Sequence, residues 1–129
     1  MIHEEICSCE VCKLAKEKGF DVQTFDWYDY IGNYYKGLIP YELHECPRYK
    51  EYYAPTQSLL QRWLREEKGL CISVEAYPTL AIIGKVCFAW VIKSGSDGHF
   101  MESNDSLQTF STYELALEDA LKYALENLV

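Results

Sequence analysis

Positive charge is scarce in this sequence: 12 lysines and arginines stand against 20 aspartates and glutamates, a net charge of −8. The shortfall is steepest in residues 94 to 129, which hold seven acidic side chains and one basic, Lys122. Such a field repels phosphate backbones, argues against nucleic acid as a partner and favours solubility. Gln57 to Lys68 is mildly basic. Imitation of DNA by the acidic surface is the contrary reading, but solvated helix faces account for an excess of this size. Long apolar runs are missing too. The longest, Val86 to Ile92, is far short of the ~20 residues that a membrane helix needs. Met1 to Glu5 has neither the basic start nor the apolar stretch of a signal peptide. The expectation is a cytoplasmic protein with no membrane attachment.

Catalytic signatures are absent as well. The chain has no glycine loop that would cradle a phosphate, no Gly-x-Ser-x-Gly elbow and no His-Glu-x-x-His helix. Asp26 with Asp29, or Glu114 with Glu118, can be written as acid and base pairs. Nothing around them indicates the apolar surroundings that would separate their pKa values, so they read as solvated side chains. His44, Glu45 and Cys46 can be written as a thiol with a neighbouring base, yet adjacent residues on an extended segment point in different directions. These absences lean towards a protein that is not an enzyme.

Helix signals are what the chain does carry. Ser8 is placed to cap a helix over 8–18 whose inner face is Val11, Cys12, Leu14 and Ala15, with Gly19 as its left-handed stop. Thr56, after Pro55, caps a second helix over 56–68 with the stripe Leu59, Leu60, Trp63 and Leu64, stopped at Gly69. Ser111 and Glu114 have the spacing of a capping box, and Phe110 and Leu115 that of a hydrophobic staple, for a third helix over 111–127. Its buried face is expected to hold Leu117, Ala120, Leu121, Ala124, Leu125 and Leu128. Between the last two helices, residues 71–110 read as antiparallel strands: Cys71 to Tyr77, Leu80 to Lys93 with a bulge at Gly84, and His99 to Ser103 continuing towards Phe110. The run Val86 to Ile92, apolar on both faces, is expected to be the central strand. The fold class is therefore α+β, one domain over 1–129, with an antiparallel sheet of three to five strands packed against two or three helices in the order α-β-(β)-α-β-β-β-α. From the second helix onward that order matches double-stranded RNA-binding domains. Those grip phosphate with lysines at the start of the last helix, where this chain has Thr112, Tyr113, Glu114 and Leu115, so RNA is not the expected ligand.

Residues 21–54 hold eight of the eleven tyrosines as well as Trp27. Asp21 to Tyr30 reads as a strand and Gly32 with Asn33 as a turn leading into Tyr34 and Tyr35. Tyrosine offers large contact area with little conformational entropy to lose, so Trp27, Tyr28, Tyr30, Tyr34, Tyr35, Tyr49, Tyr52 and Tyr53 are the candidate binding residues. The alternative is that the same rings tuck under a packed flap with their hydroxyls in water. Cys7, Cys9, Cys12 and Cys46 are the candidate metal ligands, because thiolates at short spacing can converge on tetrahedral zinc. Against this stands Cys12 on an apolar helix face, where cysteine serves as a small core residue. No cofactor is expected, with zinc as the alternative.

Ala54, Pro55, Thr56, Gln57, Ser58, Leu59, Leu60, Gln61, Arg62, Trp63, Leu64, Arg65 and Glu66, with Ser111, Thr112, Tyr113, Glu114, Leu115, Ala116 and Leu117, resemble a family of short uncharacterised proteins of Bacteroides-type gut bacteria, their phages and mobile elements. The resemblance extends to Cys12 to Phe20. It implies a cytosolic protein of phage or mobile-element origin and brings no activity, cofactor or site residue. The expected function is that of a small non-catalytic protein-binding or accessory protein, using the Trp27 to Tyr53 region. The alternative is a zinc- or thiol-dependent protein centred on the N-terminal cysteines.

Overall fold

A computed structural model describes residues 3–37, 51–78, 84–104 and 109–129. In chain order the elements are α1 (Cys9–Glu17), β1 (Trp27–Tyr28), β2 (Tyr34–Tyr35), β3 (Tyr52–Tyr53), α2 (Gln57–Lys68), β4 (Leu70–Pro78), β5 (Val86–Ser94), β6 (Phe100–Ser103) and α3 (Tyr113–Asn127). The fold is α+β. Among the described residues the strands form two antiparallel sheets of three, in the orders β2-β1-β3 and β4-β5-β6. The tyrosine-rich segment thus builds a small sheet of its own.

Local chemistry explains the helix ends. The Ser8 hydroxyl accepts from the Val11 amide at 3.3 Å, and Gly19 takes up the chain at φ 98° beyond the last turn. Phe20 then folds back, donating its amide to the Ala15 carbonyl at 2.9 Å and setting its ring edge-on to Trp63. Thr56 caps α2 by accepting from the Leu59 amide at 3.2 Å, and Gly69 ends it in the left-handed region. The third helix starts one residue later than its sequence indicates. Thr112, not Ser111, is the cap and accepts from the Leu115 amide at 3.1 Å, so Glu114 is out of place for a capping box. The staple is absent too, since Leu115 is 53% exposed. Phe110 is instead held on the sheet by two backbone hydrogen bonds to Phe88, at 2.8 and 2.9 Å, and the chain needs one more extended residue before it can turn helical.

Both α2 and α3 cover one face of the β4-β5-β6 sheet, where Leu70, Ile72, Trp90 and Ile92 are buried against Leu60, Leu64, Leu117, Leu121 and Leu125. The Trp90 indole N–H donates to Asp119 of α3 at 2.9 Å, and the Tyr123 hydroxyl donates to Glu102 of β6 at 2.9 Å, so the buried Trp90 and the half-buried Tyr123 keep partners for their polar tips. As expected, β5 is central. Its other face, with Cys87, Ala89 and Val91, is only half-buried, so the apolar run reports a central position without a second covering layer. The expected start of this strand at Leu80 lies outside the described residues, as does Leu107.

The first helix packs on α3 and β3, and an N-terminal strap fastens it. The Cys7 amide donates to the Pro55 carbonyl at 3.0 Å, and the Gln57 backbone amide donates to the Glu5 carbonyl at 2.8 Å. One carboxylate joins all three helices. Glu118 of α3 accepts from the Ser8 amide and hydroxyl, at 3.0 and 2.8 Å, through one oxygen, and from the Gln57 side-chain amide at 3.0 Å through the other. Gln57 is 4% exposed and also donates to the Glu114 carbonyl at 2.9 Å. A negative group suits this place because the N-termini of α1 and α2 carry partial positive charge.

Replacing Glu118 with alanine removes three hydrogen bonds to a charged acceptor and leaves Gln57 with one partner. Thermal and urea unfolding should show a loss of about 2 kcal/mol. Glu67→Ala, on the exposed face of α2, should change stability by less than about 0.5 kcal/mol. Equal effects would refute the role given to Glu118.

Candidate functional site: an aromatic hairpin held by aspartates

The hairpin of β1 and β2 pairs Trp27 with Tyr35 and Tyr28 with Tyr34, while β3 adds Tyr53 beside Trp27 and Tyr52 beside Tyr28. Successive residues of a strand face opposite ways, so the rings sort into two layers. Trp27 and Tyr35 stack with centroids 4.4 Å apart and planes 15° apart. Tyr28 and Tyr34 meet at 5.4 Å on the other side, and the Tyr28 hydroxyl donates to the Cys7 carbonyl at 2.8 Å. Thr24 ties the hairpin to β3 by donating to the Asp26 carbonyl at 2.7 Å and accepting from the Ala54 amide at 3.1 Å.

The turn is built around one carboxylate. One oxygen of Asp29 accepts from the amides of Ile31, Gly32 and Asn33 at 2.9 to 3.0 Å, and the other accepts from the Asn33 side chain and the Tyr35 hydroxyl, both at 3.0 Å. Two backbone bonds between Asp29 and residues 32 and 33 close it, and Gly32 supplies the required φ of 104°. Desolvation pushes the Asp29 carboxyl upward, but the bonds from Asn33, Tyr35 and Ile31 outweigh it and hold the group below the ordinary carboxylate range. Asp26 accepts from the Tyr34 hydroxyl, and that phenol is pushed up to about 12 by desolvation and by this bond. Both aspartates are committed to holding tyrosines. Glu118, likewise, joins helices rather than pairing with Glu114 as acid and base.

This geometry divides the candidate binding residues. Tyr30 is 69% exposed, Tyr34 and Tyr35 are exposed, and Trp27 and Tyr28 are half-buried. Tyr52 and Tyr53, at 9% and 8% exposure, belong to the core, with the Lys16 ammonium over the Tyr52 ring. Tyr49 lies outside the described residues, as do His44 and Cys46. Two exposed apolar side chains escape a search for tyrosine: Phe25 and, at 70% exposure, Ile31 beside Tyr30. The signal for Ile31 was available in the pattern Asp-x-x-Gly-Asn, which puts the second and third residues at the corners of a turn. Tyr53→Ser should lower stability by about 3 kcal/mol in urea unfolding, whereas Tyr30→Ser and Ile31→Ser should each change it by less than about 0.5 kcal/mol. A steep loss from the latter pair would make the turn part of the core.

Two of the three N-terminal cysteines are core residues. Cys7 and Cys12 are buried, and the Cys12 thiol points to the Cys7 carbonyl at 3.7 Å. Burial, then the nearby Glu118 charge, pushes both thiols far above their ordinary range; Cys9, half-buried near Asp29 and Lys13, is raised less. Among the described residues no three histidine, cysteine or acidic side chains are placed to hold a metal ion, and no cofactor is indicated. A thiol that stays protonated when folded but ionises near 9 when unfolded stabilises the fold below that pH, and the contribution is lost as pH rises. Stability should therefore fall by about 1.4 kcal/mol per buried thiol between pH 7 and pH 10. Cys7→Ala with Cys12→Ala should flatten the slope; an unchanged slope would contradict the burial.

Among the described residues no helix is long and apolar enough to cross a membrane. No protein-family model, curated protein or solved structure matches the chain.

Proposed function

We propose that this protein is a small binding module that inserts the turn carrying Tyr30 and Ile31 into an apolar hollow on a protein partner. One observation carries the reading: two neighbouring apolar side chains stand about 70% exposed on a turn fixed by five hydrogen bonds to the Asp29 carboxylate, three of them from backbone amides. A floppy loop would lose entropy on docking, while a turn already in its bound shape loses little. Phe25, Tyr34 and Tyr35 extend the contact area around the tip. The resemblance of Ala54 to Glu66 and Ser111 to Leu117 to proteins of Bacteroides phages and mobile elements supports an accessory role in the host cytoplasm.

The test is affinity capture from a Bacteroides lysate with the wild-type protein and with the Tyr30→Ser, Ile31→Ser double variant, after confirming equal melting temperatures. At least one protein held by the wild type should be reduced about tenfold or more with the variant, because apolar anchors at interface centres dominate binding energy. Equal recovery with both baits, or none with either, would overturn the reading.

A further inference from the structure

A second feature stands apart from the hairpin tip. Beside the N-terminal strap, a cleft of about 600 Å³ opens between α3 and the strap. Its apolar lining comes from Ile6, Tyr28 and Leu115, and its acidic rim from Glu5, Glu114 and Glu118. Leu115, half exposed on the first turn of α3, has lost the staple contact that its position would otherwise give it. Glu118 is occupied by Ser8 and Gln57, but the Glu5 and Glu114 carboxylates have no hydrogen bond or ion pair among the described residues. A smaller hollow of about 190 Å³ on the far side of Glu5 and Glu114 adds Glu4. Among the described residues no lysine or arginine lines either space.

We infer that this cleft receives a lysine or arginine side chain from a partner protein. The required occupant has an apolar stem and a cationic head. The stem covers Ile6, Tyr28 and Leu115, which water solvates poorly, and the head meets two exposed carboxylates that no protein donor engages among the described residues. A purely apolar side chain would strip water from those carboxylates without replacing its hydrogen bonds, and an acidic one would be repelled. The net charge of −8 steers a basic segment towards this surface.

The test uses the intact protein, labelled with ¹⁵N, and four capped pentapeptides, Gly-Ser-X-Ser-Gly, with lysine, arginine, norleucine or glutamate at X. Lysine and arginine peptides should produce saturable shifts of the Ile6, Ser8 and Leu115 amides, with affinity at least about tenfold above the norleucine and glutamate peptides and weakened by salt. Glu5→Gln with Glu114→Gln should weaken binding about tenfold while leaving melting nearly unchanged, and Leu115→Ser should weaken it without altering salt dependence. The Tyr30→Ser, Ile31→Ser variant should bind as the wild type does. Absent saturation, equal binding of norleucine, or indifference to the Glu5 and Glu114 changes would overturn the cleft assignment. Shifts confined to the hairpin and lost with Tyr30 and Ile31 would overturn it while leaving the hairpin reading intact.

Discussion

The Glu118 carboxylate is the junction on which the arrangement of helices depends. Helices α1, α2 and α3 lie far apart in sequence and could slide over one another on apolar contacts alone, which are non-directional. A carboxylate that accepts from Ser8 at the start of α1 and from Gln57 at the start of α2 fixes where both helices begin relative to the second turn of α3. It also satisfies donors that a helix start otherwise leaves open and gives the buried Gln57 amide one of its partners. With that junction set, the strap of Glu5 to Cys7 pairs beside Pro55 to Gln57, and the cysteines of α1 are carried into the interior.

Asp29 repeats the device on a smaller scale. Five donors converge on it, and the product is a turn stiff enough to hold Tyr30 and Ile31 in water. The two carboxylates differ in what they support. One organises a core whose apolar surface is turned inward, and the other keeps apolar surface turned outward, against the tendency of such residues to collapse onto the protein. Exposure maintained by a dense set of bonds points to recognition more strongly than exposure on a loose loop, since the ordering that a partner would otherwise have to impose is already present.

Much of this was legible in the sequence where a local rule acts alone. Ser8, Thr56, Gly19 and Gly69 sit at helix ends for reasons confined to a few neighbours, and the α3 stripe from Leu117 to Leu125 is set by helical spacing. Local rules failed where a distant strand intervened. Phe110 left its expected staple because Phe88, 22 positions earlier, claims its backbone, and the helix start moved to Thr112. Tyr52 and Tyr53 look like Tyr34 and Tyr35 in sequence, and both pairs sit on edge strands of the β2-β1-β3 sheet; the packing of α1 on β3 buries one pair while the other stays exposed. Glu118 read as a solvated residue because its partners lie 110 and 61 positions away, and no spacing rule reaches so far.

The central claim, that the Tyr30 to Asn33 turn is held in a fixed shape by Asp29, is tested most directly by backbone ¹⁵N relaxation of the wild type and of Asp29→Ala. Order parameters through the turn should match those of α3, roughly 0.85, and drop below about 0.6 in the variant while α3 is unchanged. A wild-type turn already below about 0.6, or a variant turn as ordered as the wild type, would contradict the account.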